Sequence, residues 1–227
     1  TPNSSRPCRA DRPSGRLSQP GNTVKDMHCA RRPESYDDPM TEKASRAVSS
    51  PLRVASFFAG IGGFDLGFEK AGLKTVWQCE LKPFCSTILE EHWPDVARKQ
   101  DIQEVKPDEV AEAEIWSAGF PCQDVSLARM GPREGLHGSQ SGLFFKFAEL
   151  VGDRLPRVVV LENVGGLLSS NNGRDFAVVA RTLADLGYCV AWRVLDSRYF
   201  GVPQSRTRLF LVGSLGEEAT AGQILLE

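Results

Sequence analysis

No stretch of the 227 residues approaches the ~20 consecutive apolar positions that span a bilayer. Nor does a charged start followed by an apolar core of roughly 7–15 residues mark a secretory leader. The six cysteines (Cys8, Cys29, Cys79, Cys85, Cys122, Cys189) form no C-x-x-C pair, which argues against a zinc site and suits reduced thiols in a cytoplasm. A strong net charge is also missing: 27 Lys and Arg stand against 29 Asp and Glu. The usual G-x-G-x-x-G phosphate fingerprint does not occur. What is present, 41% apolar and 25% charged residues, excludes a fibrous, collagen-like or wholly disordered chain. A chain of this length buries roughly 70% of its unfolded surface and needs no metal or disulfide staple.

The near-zero total hides an uneven distribution. Residues 1–50 carry 9 basic and 6 acidic side chains, and residues 51–227 carry 18 and 23. The first fifty are rich in Pro, Ser and Arg without helical or strand period, and read as a disordered basic tail. Residues 51–227 read as one catalytic domain. Phosphate backbones are bound chiefly by Lys and Arg. This acidic part therefore needs a local patch, or basic surface from another segment or chain, to hold nucleic acid.

Short apolar runs at Val54–Phe58, Thr75–Cys79, Ile115–Ala118 and Arg157–Leu161 read as strands. Helical patterns follow from Phe64 to Ala71, Lys82 to His92, Leu143 to Leu150 and Asp175 to Leu186, and late strands at Tyr188–Leu195 and Leu209–Val212. Alternation of this kind predicts an α/β fold with a mostly parallel sheet and helices on both faces. Ligands of such sheets bind beyond the carboxyl ends of the strands. Gly60 to Gly63, Glu80, Asp101, Phe120 to Gln123 and Glu162-Asn163 all fall there.

Each group suits a particular chemistry. Glycines between a strand and a helix let backbone approach a ligand, though an unliganded tight turn has the same composition. An acidic residue ~20 positions later, here Glu80, suits a ribose diol. Asp101-Ile102 would then meet an adenine edge. Cys122 follows a rigid Pro at a strand end, where a thiol serves as nucleophile; Cys79, Cys85 and Cys189 read as buried apolar side chains. Glu162 follows the most apolar strand, and an apolar wall would favour its neutral, hydrogen-bond-donating form. Arg206 and Arg208 alternate onto one face, where they suit a planar polar ligand.

Phe58-Ala59-Gly60-Ile61-Gly62-Gly63-Phe64, Pro121-Cys122-Gln123, Glu162-Asn163-Val164 and Gln204-Ser205-Arg206-Thr207-Arg208, in this order and spacing, resemble the bacterial C5-cytosine-specific DNA methyltransferase family over about residues 52–227. The resemblance implies a Rossmann-like class I methyltransferase fold and S-adenosylmethionine as methyl donor. Phe58, Ala59, Gly60, Ile61, Gly62 and Gly63 would line the donor, Glu80 would hold its ribose and Asp101-Ile102 its adenine. Gly119, Pro121 and Leu143 would complete the pocket. Cys122 would attack the target cytosine, Glu162 and Arg208 would hold it, and Arg206 would support them. The implied substrate is double-stranded DNA, with a cognate restriction endonuclease as a possible companion. Family members continue into a target-recognition domain and a final segment, so a complementing chain or missing continuation is expected. A tRNA-directed relative, a non-catalytic donor-binding remnant and a nicotinamide-dependent oxidoreductase are the competing readings.

Overall fold

The computed structural model describes residues 50–121, 142–216 and 218–226. The expectations for residues 1–49 and for Cys122 lie outside the described residues. Seven strands form one sheet in the order β3-β2-β1-β4-β5-β7-β6. They are β1 (Arg53–Phe57), β2 (Lys74–Cys79), β3 (Ala97–Lys99), β4 (Ile115–Ala118), β5 (Val158–Val164), β6 (Tyr188–Asp196) and β7 (Thr207–Leu215). The helices are α1 (Gly63–Lys70), α2 (Pro83–His92), α3 (Leu143–Arg154), α4 (Arg174–Asp185) and α5 (Glu218–Leu226). β1 to β5 are mutually parallel, and β7 runs antiparallel to both β5 and β6. The expected mostly parallel sheet is therefore present, with β7 as its one reversed strand.

Alternation along the strands splits the sheet into two unlike faces. Phe57 packs tilted or edge-on against Trp77, Trp116 and Phe147 of α3, and Trp116 against Phe147, with ring centroids 4.8–6.2 Å apart; they join Val179 and Leu183 of α4 in the main core. The opposite face is polar at its centre: Ser56, Gln78 and Ser117 are fully buried. α1 covers that centre, and α5 covers Val160 and Val212 further along through Ala221. The molecule thus spends its largest aromatics on one side and uses the other for hydrogen bonding.

Local chemistry sets the helix ends. α1 is entered through Gly62 in the left-handed region (φ 85°) and leaves through Gly72 (φ 85°), whose N–H meets the Glu69 carbonyl while Leu73 N–H meets that of Phe68. α2 opens on Pro83, whose missing N–H costs nothing at a helix start.

Two elements differ from expectation. β3 carries no apolar alternation; its short pairing with β2 (Trp77↔Ala97 to Cys79↔Lys99) makes it a strand. β5 does not stop at Leu161. It pairs with β7 as far as Val164↔Arg208, so Glu162 and Asn163 are strand residues and not members of the loop beyond.

Candidate active site

The parallel strands end in a row along one edge, and the chemistry-bearing residues stand on it. At β1, Phe58 adopts φ 54°, a left-handed conformation rarely taken by an aromatic residue and worth roughly 1–3 kcal/mol of strain. It turns the chain so that Ala59 N–H bonds the Cys79 carbonyl at 3.1 Å, and the glycines follow. They are not equivalent. A methyl group at Gly60 or Gly63 would meet nothing within 4 Å, so these two leave an open cradle. One at Gly62 would lie 2.3 Å from the Trp93 ring. Gly62 is a glycine because α2 packs against it; the cradle is formed by its neighbours. Ile61 is exposed beside them.

Glu80, at the end of β2, is nearly buried and grips two backbone donors: Gly60 N–H at 2.8 Å on Oε2 and Lys82 N–H at 2.9 Å on Oε1. A carboxylate has about four lone-pair sites, so two stay free for a vicinal diol. Asp101, past β3, caps the next turn by accepting Gln103 N–H at 2.9 Å. Ile102 is only 3% exposed and belongs to the core, so Asp101 carries the polar edge of that pair. Leu81 follows Glu80 directly and is more than half exposed; an unpaired leucine there gave no signal in the sequence. An open glycine turn, a carboxylate with spare acceptor sites and exposed Ile61 and Leu81 together fit an adenosyl donor.

At β4, Gly119 N–H bonds the Phe57 carbonyl at 3.4 Å, which ties the root of the Pro121-Cys122 segment to β1. A methyl at Gly119 would stand 3.5 Å from Glu162 Oε2. Asn163 Nδ2 donates to the Phe120 carbonyl at 2.9 Å, and its Oδ1 accepts Val164 N–H at 2.9 Å. The strand carrying Glu162 thus also clamps the residue two before Cys122. Leu143 begins α3 against the same core.

The wall around Glu162 is not the apolar one that its sequence context suggested. Arg208 Nε lies 2.8 Å from Glu162 Oε1, both side chains about a quarter exposed. Glu162 opposes Phe210, and Arg208 opposes Val164, so the ion pair is diagonal across the β5–β7 ladder. β7 begins at Thr207; Arg206 is exposed, and its N–H is tied to Asp196 Oδ1 at 3.3 Å and Ser197 Oγ at 3.1 Å. Asp196 accepts also from Arg198 N–H, Ser205 and Thr207, contacts that hold its carboxyl below the usual range. Cys79 is a buried side chain as expected: burial, with Asp101 and Glu80 nearby, pushes its thiol up to about 12, which rules it out as a nucleophile.

A mostly parallel sheet with helices on both faces, an open glycine turn after its first strand and a Glu–Arg pair along the same edge make a Rossmann-like α/β fold of the class I methyltransferase type. A family model for C-5 cytosine-specific DNA methylase matches residues 52–224, and the chain belongs to that family. It is 39% identical over 171 residues to the Type II methyltransferase M2.BsuMI of Bacillus subtilis, covering 74% of this chain and 43% of that one. With M.NlaIV of Neisseria lactamica it shares 35% over 177 residues, covering 72% and 41%. Among solved structures, a DNA modification methyltransferase encoded within an E. coli prophage superposes with TM-score 0.60 at 20% identity, covering 78% of this chain and 48% of that one. Dnmt2 methyltransferase of S. pombe gives 0.58 at 22%, covering 73% and 51%. The chain therefore spans about half or less of the length of these relatives.

Proposed function

We propose that the chain is the catalytic half of a DNA (cytosine-5)-methyltransferase. The observation that carries this reading is the Glu162 carboxyl, seated against Gly119 at the root of the Cys122 segment and paired with Arg208. Phe58, Ala59, Gly60, Ile61, Gly63, Glu80, Asp101, Pro121 and Leu143 are proposed to hold S-adenosylmethionine, with Gly62 and Ile102 behind them. Bound there, the donor supplies an electrophilic methyl group.

Carbon 5 of cytosine is a weak nucleophile. Addition of the Cys122 thiolate at carbon 6 forms a C–S bond and moves the ring's electron pair toward carbon 5. As the base docks, the Glu162 carboxyl takes up a proton from solvent, gives a hydrogen bond to ring N3 and accepts one from the exocyclic amine, while Arg208 binds O2. The ion pair between these two residues keeps both groups placed until the base arrives. After methylation, loss of the carbon 5 proton expels Cys122 and restores aromaticity. The ring faces are closed within a duplex, so the base is extruded at a cost of roughly a few kcal/mol.

Under this proposal the DNA substrate is gripped jointly by these residues and by further polypeptide, as a continuation or a second chain. More than half the length of two curated relatives has no counterpart here. A cognate restriction endonuclease is the companion that Type II relatives suggest. No helix among the described residues is long and apolar enough to cross a membrane; a cytoplasmic setting is part of the proposal.

A duplex carrying 5-fluorocytosine tests the chemistry, because fluorine at carbon 5 cannot leave as a proton does. The expected result is a denaturation-resistant protein–DNA adduct that requires the donor and is lost in Cys122→Ser. Donor binding with no adduct in a fully complemented enzyme would favour a non-catalytic remnant. Full turnover of tritiated donor by these 227 residues alone would overturn the need for further polypeptide.

A further inference from the structure

Beneath the glycine turn lies a charge that the proposed chemistry does not use. Asp65, in the first turn of α1, is fully buried. Its Oδ2 accepts from Ser56 Oγ of β1 at 3.1 Å, and its Oδ1 accepts from Gln78 Nε2 of β2 at 3.0 Å. The Gln78 amide is held in that sense by Arg98, whose Nε and an Nη meet Gln78 Oε1 at 3.1 and 2.9 Å. Arg98 itself bonds the carbonyls of Leu89 and Trp93. Every partner of the Asp65 carboxyl is a neutral donor; among the described residues no Lys or Arg pairs with it. Burial pushes its pKa up, against the pull of Gln78 and Ser56. A buried carboxylate without a cation is costly, and an apolar residue would fill the site more favourably.

The strand order supplies a reason. Asp101, Glu80, Gly60 and Gly119 stand at the ends of β3, β2, β1 and β4, which are neighbours in that order. With adenine at the first and ribose at the second, the next group of a bound donor, its sulfonium, would fall over the β1 turn. Asp65 follows that turn by two residues, in the first turn of α1, and is bonded to β1 and β2. The positive end of the α1 dipole would otherwise oppose a cation there.

We infer that Asp65 is a specificity-determining residue: a fixed negative charge that favours the cationic donor S-adenosylmethionine over its neutral product, S-adenosylhomocysteine. This rests on the donor-binding reading above. It gives the site a means of releasing product once the positive charge has left with the methyl group.

The test is calorimetric titration of the full chain with each ligand. Asp65→Asn keeps the shape and a hydrogen-bonding group but removes the charge. Its affinity for S-adenosylmethionine is expected to fall on the order of tenfold, a modest value for a buried charge pair, with S-adenosylhomocysteine nearly unchanged. Equal weakening of both ligands, or of neither, overturns the inference and leaves donor binding intact. A wild-type chain that binds neither ligand overturns both. Should Asp65→Asn not fold, the exchange Ser56→Asp with Asp65→Ser moves the carboxylate across a 3.1 Å hydrogen bond. Retained discrimination in that variant supports the inference, and its loss in a folded variant overturns it.

Discussion

Asn163 reaches across from β5 to hold the carbonyl of Phe120, 43 residues earlier in the chain, at 2.9 Å. One strand therefore presents the Glu162 carboxyl and fixes the base of the segment that bears Cys122. Asn163→Ala leaves a buried carbonyl without its donor, a loss of about 1–3 kcal/mol. For a domain of this size that is a fall of about 2–4 °C in Tm for each kcal/mol. Differential scanning calorimetry checks the stability loss, and adduct formation with 5-fluorocytosine DNA should slow in the same variant.

Glu162→Gln should separate chemistry from stability. Gln can still span toward Arg208 but cannot hand a proton to a ring nitrogen. Single-turnover adduct formation is expected to drop by about 10²–10⁴, the usual worth of a placed acid. Tm should move little, because a partly exposed ion pair contributes at most about 1 kcal/mol. A variant that traps cytosine at the wild-type rate would remove Glu162 from the mechanism.

Gly60→Ala and Gly62→Ala should fail in different ways. At Gly60 (φ 58°) the methyl enters open space, so donor affinity should fall with only the ~1–2 kcal/mol cost of a left-handed alanine. At Gly62 (φ 85°) it enters the Trp93 ring, so folding suffers first. Adding Trp93→Leu to Gly62→Ala should recover part of the lost Tm and none of the backbone strain. Paired melts and donor titrations of the two alanine variants read out the contrast.

Asp196 should make the β6–β7 turn acid-sensitive. Its carboxyl sits below the ordinary Asp range, chiefly through Arg198 N–H. A depressed carboxylate contributes stability above its unfolded pKa and loses it as pH falls through the lower folded value. Protection of the Arg198 and Arg206 amides, taken relative to the intrinsic exchange rate at each pH, should therefore be high at neutral pH and fall below about pH 4, the ordinary Asp range. In Asp196→Asn the protection should be lower and should not change across that window.

Much of the fold was legible because strand runs and helix periods carried their own punctuation. Ile115–Ala118 matches β4, and the helices expected from Phe64, Lys82, Leu143 and Asp175 begin within a residue of α1 to α4, although α3 runs on from Leu150 to Arg154. β3 was not legible, since Ala97-Arg98-Lys99 becomes a strand only through the neighbour it pairs with. The placement of Glu162 and Asn163 needed the register of β7, a long-range property that local pattern does not encode. The same register explains why Arg208 meets Glu162; Arg206 precedes β7, and its backbone N–H meets Asp196. Asp65 and Gly62 needed a third dimension again: one is an acid hidden inside a helix, the other a glycine answering to a tryptophan thirty-one positions later.

Arg208 sits opposite Val164 on one side and Leu195 on the other, stitched into the sheet from both directions. The backbone that carries this guanidinium is thus part of the sheet, and its side chain rests on Glu162 at 2.8 Å. Under the proposed reaction the arginine waits at the strand edge, and the nucleotide has to travel from its stacked pair to reach it.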